Sequence, residues 1–171
     1  MATPSYEAEL PERGYGFLAN EVRRPQQFPR DEVEAAFRDY QAVAAKAAAS
    51  GDWNPWADIF TDDAIYVEHQ YGVLRGQDAI RNWITSTMQG QVVELVFPVE
   101  WYMIENDLLF MYCPNRYPAP DDGAPFQFVS ATILCYGGDG RWCYEEDIYN
   151  AGEALRVHEA YAAAKGSPTT G

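Results

Sequence analysis

The first thirty positions show no periodic alternation of apolar and polar residues. Pro4, Pro11, Pro25 and Pro29 fall there among polar neighbours. Each proline fixes φ and removes a backbone donor, so residues 1–30 are expected to form an arm without regular structure beyond one short turn. Tyr15, Phe17, Leu18 and Phe28 are apolar beads along it, which predicts that the arm packs on the body; a free tail stays open for residues 1–13. A helical period then sets in. Val33, Phe37, Tyr40, Ala44, Ala47 and Ala48 share one face, with Asp31 and Glu34 spaced as an N-cap pair and Ser50-Gly51 as a stop. Asp52 is placed to cap a short second helix through Trp53, Trp56 and Ile59. The period falls to two over Ala64–Gln70. Gly72 and Gly76 bracket a turn, and Gln77–Met88 returns to helical spacing with Ile80, Trp83, Ile84 and Met88 on one face.

From Gln91 onward the pattern is extended. Val92–Phe97 and Val99–Glu105 are rich in β-formers, with Pro98 as a break between them. Asn106-Asp107 marks a hairpin turn, Leu108–Tyr117 is the return strand, and residues 118–123 form a loop. Phe126–Tyr136 and Arg141–Tyr149 are strands joined by the tight turn Gly137-Gly138-Asp139-Gly140. Glu153–Lys165 reads as an Ala-rich helix, and the tail beyond it frays. Three helices around one early strand, followed by an antiparallel meander, describe an α+β chain with helices on one side of a curved sheet. A strongly curved sheet with helices across its open side encloses a conical cavity.

The 171 residues suit a single core, and 47% hydrophobic residues supply the apolar area to fold without staples. The net charge is −14. No basic stripe exists to neutralise phosphates, and an acidic surface repels anionic headgroups, so neither nucleic acid nor membrane is an expected partner. The three cysteines, Cys113, Cys135 and Cys143, lie in strand-like segments without a C-x-x-C motif. They signal neither a zinc site nor a disulfide framework and suit a reducing compartment. There is no apolar h-region near the start and no run of about 18 apolar residues, so the cytoplasm is the expected location. Glu68-His69 is a pair, too few ligands for a metal. GGDG has no helix after it to make a phosphate loop, and no Ser or Cys nucleophile motif occurs. No cofactor is expected.

The runs WADIFTDDAIYVEH (residues 56–69) and GVLRGQDAIRNWI (residues 72–84) resemble the signature of SnoaL-like proteins in the nuclear transport factor 2-like superfamily. Ketosteroid isomerase, scytalone dehydratase, limonene epoxide hydrolase and polyketide cyclases belong to it. The carrying elements are a D-D-A turn, a strand ending in an acid-His pair, and a G-x-x-A-I-x-x-W helix. The resemblance covers residues 31–150 and divides the chain into an arm (1–30), the SnoaL-like domain (31–150), and a C-terminal helix with a frayed tail (151–171). It implies a conical α+β barrel, with a curved antiparallel sheet wrapped by three N-terminal helices plus the C-terminal one. It also implies a homodimer and a hydrophobic small-molecule ligand.

Site residues carry over unevenly. Glu68 falls where ketosteroid isomerase keeps its general base. Tyr40 lies on the right helix face for the oxyanion tyrosine, about one turn early. The second oxyanion acid falls at Thr132, and the strand-end aspartate of the cyclases falls at Asn150, so neither role is kept. The histidine-rich site of scytalone dehydratase and the R-x-D element of limonene epoxide hydrolase have no counterpart. No one activity transfers whole, and this fold hosts many functions.

Ile65, Val67 and His69 share one face of the early strand; Tyr66, Glu68 and Gln70 share the other. The aliphatic pair favours the His69 face as the inner one, whereas the resemblance favours the Glu68 face, and the choice stays open at this stage. Glu145, Asp147 and Tyr149 share a face of the last strand, against Trp142, Tyr144, Glu146 and Ile148. The resemblance turns the acids toward the cavity, where burial without partners is costly. Arg116 is a candidate counter-charge for Asp147.

A carboxylate in an apolar cavity is driven toward a useful acid/base range. Glu68 or Asp147 is therefore the expected base, with His69, Tyr40 or Tyr66 as hydrogen-bond donors to a developing oxyanion. Trp83, Trp101, Tyr112, Phe110 and Phe128 are expected in the core, some of them lining the cavity. With Tyr66, Arg116, Thr132, Tyr149 and Asn150, the residues Trp83, Trp101 and Tyr112 make up the ligand-contacting set. His158 is expected on the surface. Two functions fit: a cofactor-independent isomerase, cyclase, dehydratase or hydrolase acting on a polyketide, steroid or terpenoid, and a non-catalytic ligand-binding or protein-interaction module whose acids are tied up in structural pairs.

Overall fold

A computed structural model describes residues 7–12, 14–16, 18–89, 92, 94–119 and 123–166. Its strands are β1 (Phe60–Glu68), β2 (Gly72–Arg75), β3 (Trp101–Glu105), β4 (Leu108–Tyr117), β5 (Phe126–Gly138) and β6 (Arg141–Tyr149). Its helices are α1 (Leu18–Val22), α2 (Arg30–Ser50), α3 (Asn54–Ala57), α4 (Gln77–Thr87) and α5 (Ala151–Gly166). The strands form one curved, unclosed sheet in the order β2-β1-β6-β5-β4-β3. The meander β3 to β6 is antiparallel, but β1 runs parallel to β6, so the sheet is mixed.

The concave face and the helices share the main core. Val33, Phe37 and Tyr40 of α2, Trp56 of α3, and Ile80, Trp83 and Ile84 of α4 pack there against Tyr66, Leu109, Met111, Leu134 and Trp142 of the sheet. The opposite face is also covered. Tyr15, Leu18, Ala19 and Val22 of the arm pack on Val67, Val73, Cys135 and Tyr144. Two anchors fix the arm: Asp107, fully buried, accepts the backbone N–H groups of Gln27 (3.1 Å) and Phe28 (3.2 Å), and Glu9 exchanges two 2.9 Å backbone hydrogen bonds with Val73. The second contact lines the edge of β2, which would otherwise stay unpaired. It also requires Gly72: at φ +121°, a Cβ there would stand 2.7 Å from the Glu9 carbonyl oxygen. Phe17, the loop tip at 120–122 and the tail at 167–171 lie outside the described residues.

Several boundaries differ from expectation. Helix α2 starts at Arg30 after Pro29, with no side-chain cap; Asp31 lies in the first turn instead, where its negative charge is stabilised by the positive end of the helix dipole. Gly51 does end the helix, at φ 74°. Helix α3 stops at Ala57, and Asp52 Oδ1 accepts the Asn54 N–H ahead of it. Residues 72–75 are a strand rather than a turn, because they pair with Ile65–Glu68 and the reversal occurs at 69–71. The expected strand over 92–97 is reduced to an isolated bridge in which Val96 and Arg116 exchange backbone hydrogen bonds; residues 91 and 93 lie outside the described set.

Candidate active site

Alternation and register bring three carboxyl groups onto one patch of the concave face. Glu145 and Asp147 are two residues apart on β6 and so share a face. Parallel pairing sets Tyr66 beside Glu145 and Glu68 beside Asp147, and on the other side Thr132 of β5 stands opposite Asp147. The patch is tied together by hydroxyl groups. Tyr40, reaching down from α2, donates to Glu145 Oε1 at 2.9 Å. Tyr66 donates to Asp147 Oδ2, and Thr132 donates to Asp147 Oδ1 at 2.6 Å. Glu68 Oε2 accepts the backbone N–H groups of Gln70 (2.8 Å) and Tyr71 (2.7 Å) from the tight turn after β1.

These groups form the floor of a cavity of about 840 Å³. Its walls include Trp53, Trp56, Trp83, Met88, Phe97 and Phe128, an apolar lining interrupted by the acids and their hydroxyl partners. The indole N–H groups of Trp53 and Trp83 are buried without a partner among the described residues, as is Glu145 Oε2. A ligand with matching polar groups would satisfy them.

Burial is the largest influence on all three acids, and it pushes each of them above the ordinary carboxylate range. Glu145 is driven furthest, well above that range, with the charge of Asp147 adding to burial and the Tyr40 and Tyr66 hydroxyls offsetting part of it. Asp147 is raised less, because Thr132 and Tyr66 donate to it. Glu68 is raised by burial and by Asp147, against the nearby Tyr149 hydroxyl and its two backbone donors; that hydroxyl donates to Gln70 Oε1 at 3.2 Å. Tyr40 and Tyr66 are themselves pushed well up by burial and remain protonated donors. Two titratable groups of different proton affinity thus stand side by side, which is how acid and base roles become separated.

The structure brings together Tyr40, Tyr66, Glu68, Trp83, Thr132, Asp147 and Tyr149, with Arg116 at the same cavity wall. Arg116 does not pair with Asp147. Its guanidinium binds Glu100 Oε1 (3.0 Å) and Gln127 Oε1 (2.8 Å), and hydroxyl groups take the place expected for it. The other four expected residues lie outside the lining. His69 is on the opposite face, with Nε2 2.9 Å from Glu146 Oε1 and its ring stacked on Tyr15 at 4.6 Å. Trp101 and Tyr112 stack on each other at 5.4 Å on the convex face. Asn150 accepts the Glu153 N–H at 3.1 Å and caps α5. Conversely, His158, expected on the surface, is half-buried at the cavity, with Nδ1 2.7 Å from the Tyr117 hydroxyl and the Phe128 ring beside it. Burial lowers its proton affinity. Cys113 and Ser130 also line the cavity; their alternation with Tyr112 and Ala131 was the signal for it.

A family model for the SnoaL-like domain matches residues 37–145, well over half of the chain. The chain belongs to the SnoaL-like domain family. This SnoaL-like chain also superimposes on solved structures. A SnoaL-like polyketide cyclase assignment from Jannaschia sp. CCS1 shares 14% identity, covering 81% of this chain and 98% of that one, at a TM-score of 0.60. An M. tuberculosis LEH-like epoxide hydrolase shares 15% identity with the same coverages, at 0.59. A nuclear transport factor 2-like protein from Anabaena variabilis shares 12%, covering 74% and 95%, at 0.59. At such identities the likeness is one of fold. A search of curated proteins found no match. No helix among the described residues is long and apolar enough to cross a membrane.

Proposed function

We propose that this SnoaL-like protein is a cofactor-independent enzyme that moves a proton on a hydrophobic small molecule held in the cavity. The observation that carries the proposal is the Glu145–Asp147 pair on the cavity floor, each acid held by its own tyrosine. Asp147 is the base. Its two hydroxyl donors favour the carboxylate, and each oxygen keeps a lone pair for a substrate C–H or O–H. Glu145, more strongly desolvated, keeps its proton and serves as the acid. Glu68 is a second carboxylate within the same floor, able to receive or return a proton on the far side of the substrate. Because the hydroxyl hydrogens of Tyr40, Tyr66 and Thr132 are committed to the acids, the unpartnered Trp83 indole N–H is the donor for a substrate oxygen. The pairing of acid, base and donor suits isomerisation, cyclisation or dehydration of a flat ring system, as in polyketides, steroids or terpenoids.

The test is turnover across a panel of such compounds. Asp147→Asn should lower kcat by roughly 10²–10⁴-fold while ligand binding persists; full activity in both Asp147→Asn and Glu68→Gln would remove these two carboxylates from the mechanism. A second reading has its own support. Both oxygens of Asp147 are hydrogen-bonded within the protein, as they would be in a purely structural network, and then the cavity only binds. In either case we place the protein in the cytoplasm as a homodimer. Three free thiols support the first, and exposed Trp101, Met103, Val129 and Ile148 on the convex face support the second.

A further inference from the structure

The charges around the cavity do not balance. Among the described residues four acids line it: Glu68, Glu94, Glu145 and Asp147. Glu94 is neutralised at the rim, where Lys165 Nζ lies 2.5 Å from it. Among the described residues the lining guanidinium is that of Arg116, and it is taken by Glu100. Among the described residues no Lys or Arg forms an ion pair with Glu68, Glu145 or Asp147. Buried acids ordinarily have a cationic or donor partner for each oxygen, because an uncompensated acceptor in a low-dielectric site is costly. Glu145 breaks that rule: it is 2% exposed, it faces the cavity, and its Oε2 has no partner. The hydroxyl hydrogens nearby point into carboxyl oxygens and cannot be redirected without orphaning another acid. Protonated, Glu145 leaves an O–H there with no acceptor; ionised, its Oε2 calls for an N–H donor that also brings positive charge.

The surrounding walls fit the same group. Tyr66 and Trp83 lie with ring centroids 4.8 Å apart, and Trp56 closes on Tyr66 from another side at 5.9 Å. Aromatic faces attract a cation through their quadrupole, most strongly when it is shielded from water. A neutral hydrocarbon ligand would use these walls equally well, but it would leave Glu145 Oε2 unpaired.

We propose that the substrate carries a basic nitrogen on its hydrophobic skeleton and binds as an ammonium over the acidic floor. Its N–H reaches Glu145 Oε2, and Glu68 and Asp147 supply counter-charge. On entry of the cation, Glu145 releases its proton to solvent, so the complex gains a charge pair where the free cavity held a neutral acid; for such a substrate Glu145 is counter-charge, and the proton that Asp147 takes is the one it returns. Asp147 then stands ready to accept a proton from a carbon next to the nitrogen. This inference rests on the reading of the cavity as the substrate site.

The test compares two probes of one shape: 1-(dimethylaminomethyl)naphthalene, cationic at neutral pH, and 1-isobutylnaphthalene, in which carbon replaces nitrogen. Binding is followed by calorimetry and by quenching of tryptophan fluorescence at low and at physiological salt. The amine should bind about tenfold or more tightly than its isostere, and this preference should shrink several-fold in Glu145→Gln and in Asp147→Asn. Equal binding of the two probes would overturn the inference and leave the cavity reading intact. Binding of neither would overturn both. A preference that persists undiminished in both variants, or that vanishes at physiological salt, would also overturn it, since the attraction would then come from the −14 net charge at large. Each variant is first checked for a native melting transition; should neither fold, the wild-type comparison decides alone.

Discussion

Tyr66 donates a hydrogen bond from its phenol to Asp147 across the parallel pair β1 and β6. The two residues are 81 positions apart in the chain, and their meeting depends on β1 and β6 lying side by side in the register that also sets Glu68 beside Asp147. Tyr66→Phe keeps the ring packed against Trp56 and Trp83 and removes only the hydroxyl. A buried acid that loses one donor is expected to cost about 1–3 kcal/mol, read as a lower urea midpoint with unchanged slope. Since that hydroxyl favours the carboxylate, its loss raises the proton affinity of Asp147 further. The acidic limb of the pH–rate profile should therefore move to higher pH, a shift that a purely structural role for Tyr66 would not produce.

Glu145 ties stability to pH in a direction opposite to that of a salt-bridged acid. Its folded-state proton affinity is raised, chiefly by burial, so the folded chain keeps this proton after the unfolded chain has lost it. The favourable contribution is complete below about pH 4, the ordinary carboxylate range, and is lost as pH rises toward the raised value. Glu145→Gln keeps an acceptor for the Tyr40 hydroxyl and cannot ionise. Thermal melts should show the variant gaining on the parent as pH climbs above about 4, at up to roughly 1.4 kcal/mol per pH unit until the raised value is reached, with no gain at the acidic end. A constant difference at every pH would mean that the parent Glu145 does not titrate there.

Part of this arrangement is legible from alternation. The helical stripe from Val33 to Ala48 places Tyr40 on the apolar face of α2, and the two-residue period of Arg141–Tyr149 puts Glu145 and Asp147 on one face of β6; that this face is the inner one follows from the SnoaL-like resemblance, since Trp142, Tyr144 and Ile148 make the other face the more apolar. The face of β1 is not legible that way, because both sides of the strand are covered. Ile65 and Val67 meet the arm, while Tyr66 and Glu68 meet the cavity, so apolar content does not separate inside from outside. His69 follows from the same fact: an imidazole stacked on Tyr15 beneath the arm has the sequence context of one in a pocket. Arg116 was a reasonable partner for Asp147 by charge, but local hydroxyls were closer in register. His158 was hidden because α5 alternates Ala, Glu and Tyr with little amphipathic contrast, so no face stands out as the buried one.

The arm is part of the folded unit, and one side chain accounts for much of its attachment. Asp107, 1% exposed, gathers the N–H groups of Gln27 and Phe28, with Arg24 Nε at 3.5 Å. Asn106, at φ 56°, supplies the positive φ of the hairpin turn beside it. Asp107→Ala should leave these donors unpaired and cost about 2–3 kcal/mol. Limited proteolysis of the variant should cut first before residue 30, and hydrogen exchange should rise at Val67, Val73 and Tyr144, which the arm covers. Unchanged protection at those three amides would show that the packing of Leu18 and Val22 holds the arm without Asp107.

The convex face of β3 to β6 is where a second copy of the chain is expected. Trp101, Met103, Val129 and Ile148 are 47%, 58%, 46% and 40% exposed. Strand register aligns them on one face: Trp101 is opposite Tyr112, Met103 opposite Phe110, Tyr112 opposite Ala131, and Ala131 opposite Ile148. An exposed apolar surface of this kind on a chain of net charge −14 is the kind that association covers, and a second copy is the occupant we propose for it. Among the described residues the arm packs on β1, β2 and the parts of β4, β5 and β6 around Leu108, Ile133, Cys135 and Tyr144, with Arg23 paired to Glu105 at the end of β3; Trp101, Met103, Val129 and Ile148 stay exposed. Light scattering on a sizing column should give a dimer for the parent and a monomer for Met103→Lys combined with Ile148→Lys, with the cavity ligand still bound. A parent that runs as a monomer at micromolar concentration, or a double variant that remains a dimer, would exclude this face as the interface.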